Sequence, residues 1–256
     1  MKSKISLVLV LVMVAGLLTA CTVITGSGTL KTESMDFSDF TGVEVGNAFE
    51  VAIVRSDSFS VSITADDNLF DYIRVSKRGS VLKIGVEPAV IFHSATYRAE
   101  ITMPELFDLE LSGASHGTVT GFESVEDLDI EVSGASSLNI EGIVAGDMRF
   151  DISGASQVTD EVDADDVEFD VSGASTVRLQ GVAADMELEL SGASNAEMDD
   201  FLVSDASVNF SGASRGTVNV DGRLDVELSG ASKLTYTGDP TIGDVDISGA
   251  STMQSD

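Results

Sequence analysis

The residues best placed to do chemistry in this chain are carboxylates set at a repeating interval. A Ser-Gly-Ala-Ser tetrad occurs eight times, with first serines at Ser112, Ser133, Ser153, Ser172, Ser191, Ser211, Ser229 and Ser248, so copies lie 18 to 21 residues apart. Four and two places before those serines stand Asp108 and Glu110, Asp129 and Glu131, Arg149 and Asp151, Glu168 and Asp170, Glu187 and Glu189, Ser207 and Asn209, Asp225 and Glu227, and Asp244 and Asp246. Thirteen of these sixteen positions are acidic. Hard cations take oxygen ligands, so the series suits calcium loosely bound between neighbouring copies. Asp163, Asp165 and Asp166, in a loop between two copies, form a candidate local calcium site. Two other readings of the carboxylates stand beside this one: a solvated face that keeps a flat sheet from pairing with others, and adaptation to a salty habitat.

Nucleophilic chemistry is less well supported. Gly113-Ala-Ser-His-Gly117 and Gly212-Ala-Ser-Arg-Gly216 match the G-x-S-x-G elbow, in which a strained strand-to-helix turn lifts a serine into the open. Both matches fall out of the repeated tetrad, and no helical pattern follows either. His93 and His116 are the only imidazoles, and His116 directly follows Ser115. No catalytic residue is assigned. Two histidines and one cysteine also make an inadequate zinc set.

That cysteine points to different chemistry. Lys2 and Lys4 precede an apolar run from Ile5 to Leu18 that ends in Leu18-Thr19-Ala20-Cys21. This is the form of a signal peptide, residues 1–20, and the run is short for a membrane span. Small residues before a lone cysteine suit a bacterial lipoprotein signal, with Cys21 carrying the lipid. Residues 21–37 then read as the lipidated cysteine and a tether, with Thr22 to Gly28 flexible. The expected location is the cell envelope, extracytoplasmic and lipid-anchored, on the outer face of the cytoplasmic membrane or on an outer membrane.

Without Lys2 and Lys4 the chain carries 12 basic against 43 acidic residues, a formal charge of −31. Nucleic-acid binding, which needs a basic footprint, is excluded. Anionic headgroups are repelled as well, so the membrane would be held through Cys21. No second cysteine is present to form a disulfide.

The elements that position the carboxylates follow from the residues between them. One, three and five places before the first serines stand triplets such as Phe107/Leu109/Leu111, Leu128/Ile130/Val132, Val167/Phe169/Val171 and Leu224/Val226/Leu228. Period-two alternation marks half-buried strands. A second short alternation follows each tetrad, as in Leu138/Ile140 and Val177/Leu179, although Asp160 interrupts it in the third copy. A unit of strand, tetrad, strand and loop cannot bury its own apolar face; stacking copies in register buries them all. The expected fold is all-β: a right-handed, single-stranded parallel β-helix of about eight coils over residues 107–256. Glycine supplies the corner and the serines bond turn backbone or one another. A propeller blade needs about forty residues, twice this period. Carboxylates stacked about 4.8 Å apart repel by about 0.9 kcal/mol even at the dielectric of water.

Residues 38–106 lack the tetrad and read as an amino-terminal β-rich cap. Phe49/Val51/Ile53 and Phe59/Val61/Ile63 flank Ser56-Asp57-Ser58 as one hairpin; Ile73/Val75 and Leu82/Ile84/Val86 flank Arg78-Gly79 as another. Tyr97/Ala99/Ile101 form a further strand. At the other end, only five residues follow Ser251, so the last coil is expected to stay open, allowing weak self-association there.

Five stretches carry a family resemblance: Phe40-Thr-Gly-Val-Glu-Val45, Ala48-Phe-Glu-Val51, Ala65-Asp-Asp-Asn-Leu69, Ile101-Thr-Met-Pro-Glu-Leu106 and Leu109-Glu-Leu-Ser-Gly-Ala-Ser115. Together, and in this order over residues 38–250, they resemble the bacterial head GIN domain family, described as "putative autotransporter adhesins". The resemblance implies a β-helical fold and surface exposure, commonly behind a lipoprotein signal, and brings no catalytic residues. The expected function is non-catalytic adhesion or binding, with a glycan or surface protein as partner. A structural envelope lipoprotein without a ligand and a polysaccharide-active β-helix enzyme are the alternatives.

Overall fold

The computed structural model describes residues 22–256; the leader segment and Cys21 lie outside the described residues. Within that span the chain is a parallel β-solenoid without α-helix, and no helix is long and apolar enough to cross a membrane.

The triplets before the tetrads build one wall, face A. Their central residues stack in one register column: Leu109, Ile130, Phe150, Phe169, Leu188, Val208, Val226 and Val245. All are buried except Val245 in the last coil. Phe150 and Phe169 stack at 4.7 Å between ring centroids and 17° between planes, so aromatic contact reinforces the ladder. The residues after each tetrad build a second wall, face B, with Val51, Gly117, Leu138, Val158, Val177, Ala196, Gly216, Leu234 and Met253 in register and pointing inward. A short third side closes the cross-section through buried Ile143, Val162, Phe201, Val203 and Val220. Where that side is regular, strands continue around it, as in Thr176–Leu190 and Asn195–Phe210. Eight tetrad corners thus bound about seven full turns.

The tetrad is the corner between faces A and B. Gly154 has φ +80°, and a methyl group on it would run into the carbonyl of Gly134 in the coil before. Glycine meets both demands. The second serine turns inward and is buried, from Ser115 to Ser232. Its hydroxyl donates to the carbonyl of the first serine, 2.8 Å in Ser115, Ser136, Ser156, Ser194, Ser214 and Ser232. The hydroxyls of Ser136, Ser175 and Ser251 also accept the N–H of the second serine in the coil before, Ser136 Oγ from Ser115 at 3.2 Å. A buried hydroxyl without such partners would be destabilising, so one corner geometry requires one tetrad.

The solenoid begins earlier than residue 107, contrary to the sequence-based boundary. Gly42–Val45 pairs in parallel with Asp108–Leu111, and Glu50–Arg55 with His116–Thr120, so residues 42–55 form a coil. Its corner is Gly46-Asn47-Ala48-Phe49, and Asn47 and Ala48 take positive φ (64° and 63°) without help from glycine. Beyond it, Val81–Val86 and Tyr97–Met103 make one more parallel layer. Ser60–Asp66 and Ile73–Arg78 then cap the stack antiparallel, with Leu30–Met35 outermost against Ser60–Asp66. The hairpin around Arg78-Gly79 is present. The one around Ser56-Asp57-Ser58 is not, because Tyr97–Met103 inserts between its two strands.

The expected flexible tether is also replaced by structure. Thr22–Thr25 pairs in parallel with Val90–His93. The next residues are pinned by the buried carboxylate of Asp66, whose Oδ1 accepts the Gly28 N–H at 2.5 Å and Oδ2 the Thr96 N–H at 2.8 Å. At the opposite end the last coil is open among the described residues, with Ile242, Val245 and Ile247 exposed.

Candidate functional site

Faces A and B each present repeated side-chain arrays, and they differ in kind. On face A the outward pairs stack in register: Asp108, Asp129, Arg149, Glu168, Glu187, Ser207 and Asp225 in one column, and Glu110, Glu131, Asp151, Asp170, Glu189, Asn209, Glu227 and Asp246 in the other. Asp244 follows Asp225 after a register irregularity, and its N–H reaches Asp225 Oδ1 at 2.6 Å. The acidic ladder expected from the spacing therefore exists.

Its electrostatics are visible in individual groups. Partial burial, then the neighbouring Asp129 carboxylate, raises Asp108 above its ordinary value. Glu131 is raised likewise, by burial first and then by Glu110, Asp151 and Asp108. Arginines relieve the strain locally: Arg149 pairs with Glu168, and Arg223 with Asp225 at 2.6 Å and Asp244 at 3.4 Å. The hydrogen bond from Arg223, with a second from the Asp244 N–H, holds the Asp225 carboxyl below its usual range.

A third acidic column, six places before the first serines, escapes a reading confined to the strand pairs. Asp127, Asp147, Asp166, Asp185 and Asp205 stack at the rear edge of face A. They cap backbone: Asp127 Oδ1 accepts the Asp147 N–H and Asp166 Oδ1 the Asp185 N–H, both at 3.1 Å, and Asp205 Oδ1 the Arg223 N–H at 2.6 Å. The signal was one further outward position in each copy. This column and the ladder beside it wall a groove of about 500 Å³ floored by Met148, Val167, Met186 and Ala206.

The proposed calcium trio is divided between different tasks. Asp166 belongs to that column, Asp163 Oδ1 accepts the Val182 N–H at 3.1 Å, and Asp165 is exposed. Among the described residues no three His, Cys, Asp or Glu side chains are grouped to hold one metal ion.

Face B carries another chemistry. Its outward positions in the eight tetrad coils are His116, Ser137, Gln157, Thr176, Asn195, Arg215, Lys233 and Thr252 in one column. Thr118, Asn139, Thr159, Arg178, Glu197, Thr217, Thr235 and Gln254 form the other. Eleven of these sixteen are Ser, Thr, Asn or Gln, and Glu197 is the one carboxylate among them; the next outward position along the strands holds Thr120 and Glu141. Neighbours bond along the columns: Thr159 Oγ1 donates to Asn139 Oδ1 at 3.1 Å, and Arg178 Nε to Glu197 Oε2 at 2.6 Å. A shallow concavity of about 450 Å³ runs from Arg98 and Glu50 over Thr118 and Asn139 to Thr159. His116 lies on this face while Ser115 points into the core, so the two form no dyad.

The sequence profile of a family described as "Putative auto-transporter adhesin, head GIN domain" matches residues 39–240. The chain belongs to the head GIN domain family. The matched span of this head GIN protein takes in every parallel layer up to the last coil and leaves out the strands Thr22–Thr25 and Leu30–Met35. No curated protein matches its sequence. Among solved structures, it is similar to a putative adhesin of Parabacteroides distasonis (20% identity, 91% of this chain and 99% of that one, TM-score 0.83). A putative adhesin of Parabacteroides merdae is similar over the same shares, with 18% identity and TM-score 0.83. So is a putative lipid binding protein of P. distasonis, with 19% identity and TM-score 0.78. At these identities the likeness establishes the shared fold.

Proposed function

We propose that this head GIN protein is a non-catalytic binding module, lipid-anchored through Cys21 at the cell envelope, and that face B meets its ligand. The carrying observation is the ladder of amides and hydroxyls on face B, renewed at every coil. Strands in a stacked solenoid repeat every 4.8 Å or so, which lets a polymer with its own repeat make the same hydrogen bonds many times. Uncharged glycans fit best: their hydroxyls exchange hydrogen bonds with Ser, Thr, Asn and Gln, whereas a chain at −31 repels acidic polysaccharides.

Several observations support the reading. Ser115 and Ser214, the serines of the two G-x-S-x-G matches, are buried and donate to the carbonyls of Ser112 and Ser211, which removes them as nucleophiles. Proteins of the same fold are called putative adhesins, and one a putative lipid binding protein, which agrees with a binding role at a surface. The test is a glycan array joined to a polysaccharide-degradation screen on residues 22–256. Retention without turnover is expected; released product would indicate an enzyme, and silence a structural lipoprotein. The triple variant Thr118→Asp, Asn139→Asp, Thr159→Asp should lose retention, and undiminished retention would move the ligand off face B.

A further inference from the structure

The strand Thr22–Thr25 begins one residue after Cys21. Thr22 N–H donates to Ala89 O at 2.8 Å and Gly26 N–H to His93 O at 3.2 Å, so the ribbon it forms with Val90–His93 is fastened at both ends. Beyond it, Ser27 N–H donates to Asn68 Oδ1 at 3.0 Å and Asn68 Nδ2 to Thr25 O at 2.9 Å, next to the Asp66 clamp. One residue spans at most about 3.5 Å. A lipid on Cys21 is therefore held within one residue of folded protein, with no slack between bilayer and cap.

The ribbon is two-sided. Ile24 and Phe92 pack against the core, while Val23 and Ile91, partners in register, are 60% and 53% exposed. Two β-branched side chains thus lie bare and side by side next to the anchor position. Charge is distributed to match: residues 22–106 hold 7 basic and 12 acidic groups, a net of −5, and residues 107–256 hold 5 and 31, a net of −26. Anionic lipid repels the rod far more strongly than the cap.

We infer that the ribbon Thr22–Thr25/Val90–His93 is a membrane-contact surface, seated on the bilayer that holds the lipid of Cys21, with the last coil at the far end. The occupant is a lipid surface, since the chain that leads into Thr22 is the apolar run and the cysteine. The inference rests on the anchor proposed above. Nine layers at about 4.8 Å separate the ribbon's layer from the last coil, so the two ends differ by about 40 Å in depth.

The test uses the full chain made with its leader, reconstituted in vesicles of phosphatidylethanolamine and phosphatidylglycerol that carry a nitroxide lipid. Cys21 being acylated, Thr25→Cys or Thr252→Cys supplies one free thiol for a fluorophore. The Thr25 probe is expected to be quenched severalfold more than the Thr252 probe. Equal quenching in protein that floats with the vesicles overturns the inference and leaves the anchor standing. Failure to float removes the anchor and the inference with it. Val23→Asp with Ile91→Asp, both at exposed positions, is expected to keep the fold and flotation while the Thr25 signal falls toward the distal one. An unchanged signal in that variant overturns the apolar contact.

Discussion

In the fourth coil, face A shows Glu168 and Asp170 to solvent, and face B, just past the corner, shows Thr176 and Arg178. The coils above and below repeat the contrast. Both walls share one backbone spacing and one core, yet thirteen of sixteen outward positions are acidic on one and a single one on the other. On these columns the walls differ in charge, so another sheet laid on face A meets a ladder of like carboxylates, while the two columns of face B set up no such repulsion.

The harshest way to break the contrast is to break the corner that separates the walls. Gly154→Ala puts a methyl group against Gly134 O at φ +80°, and should lower stability by about 3 kcal/mol in urea unfolding. A smaller loss follows from making face B resemble face A. Thr118→Asp, Asn139→Asp, Thr159→Asp stacks three carboxylates, two adjacent pairs, for a loss of about 1–2 kcal/mol that added salt should largely restore. If salt fails to restore it, the loss lies in packing and the electrostatic account of the two walls is wrong.

Acidity sharpens the contrast without mutation. Asp108 and Glu131 are raised in the folded state, so their protonation favours folding, and that gain is lost as pH rises through their folded values. Glu197, lowered by Arg178, and Asp225, lowered by Arg223, act in the opposite sense; their contribution is lost as pH falls through their depressed values. The melting temperature should therefore climb a few degrees as pH is lowered from neutral into the upper carboxylate range, and then drop. A monotonic fall would mean that face A carries no strain. The smallest effect is ionic. With no three-carboxylate cluster among the described residues, calcium should raise the melting temperature no more than sodium at matched ionic strength. A calcium-specific rise would restore binding between rungs.

The walls were legible because two periods coincide, one of two residues and one near nineteen, and the inward triplets and tetrads obey both. The coil at residues 42–55 obeys the first alone. Its corner reaches left-handed geometry through Asn47 and Ala48, although Val43/Val45 and Val51/Ile53 flank five residues, as the inward residues of each tetrad coil do. The lost hairpin has another cause: Val51/Ile53 and Val61/Ile63 are neighbours in sequence but are parted by a strand some forty residues downstream, which no local pattern reports. The docked strand Thr22–Thr25 depends in the same way on Val90–His93, distant in sequence. The two outward faces were only half legible, since the acidic pairs were evident from spacing and the polar columns of face B were unremarkable until stacked.

The inserted layer also dictates an order of assembly. Each tetrad coil needs only the coil before it as a template, but the first template is unfinished until Tyr97–Met103 and Val81–Val86 slide between strands already made. That step joins distant segments, and pairing across long sequence separations is slower than laying a coil on its neighbour. A chain emerging amino terminus first therefore completes its hardest topological step early, and every later turn is laid down on a finished edge.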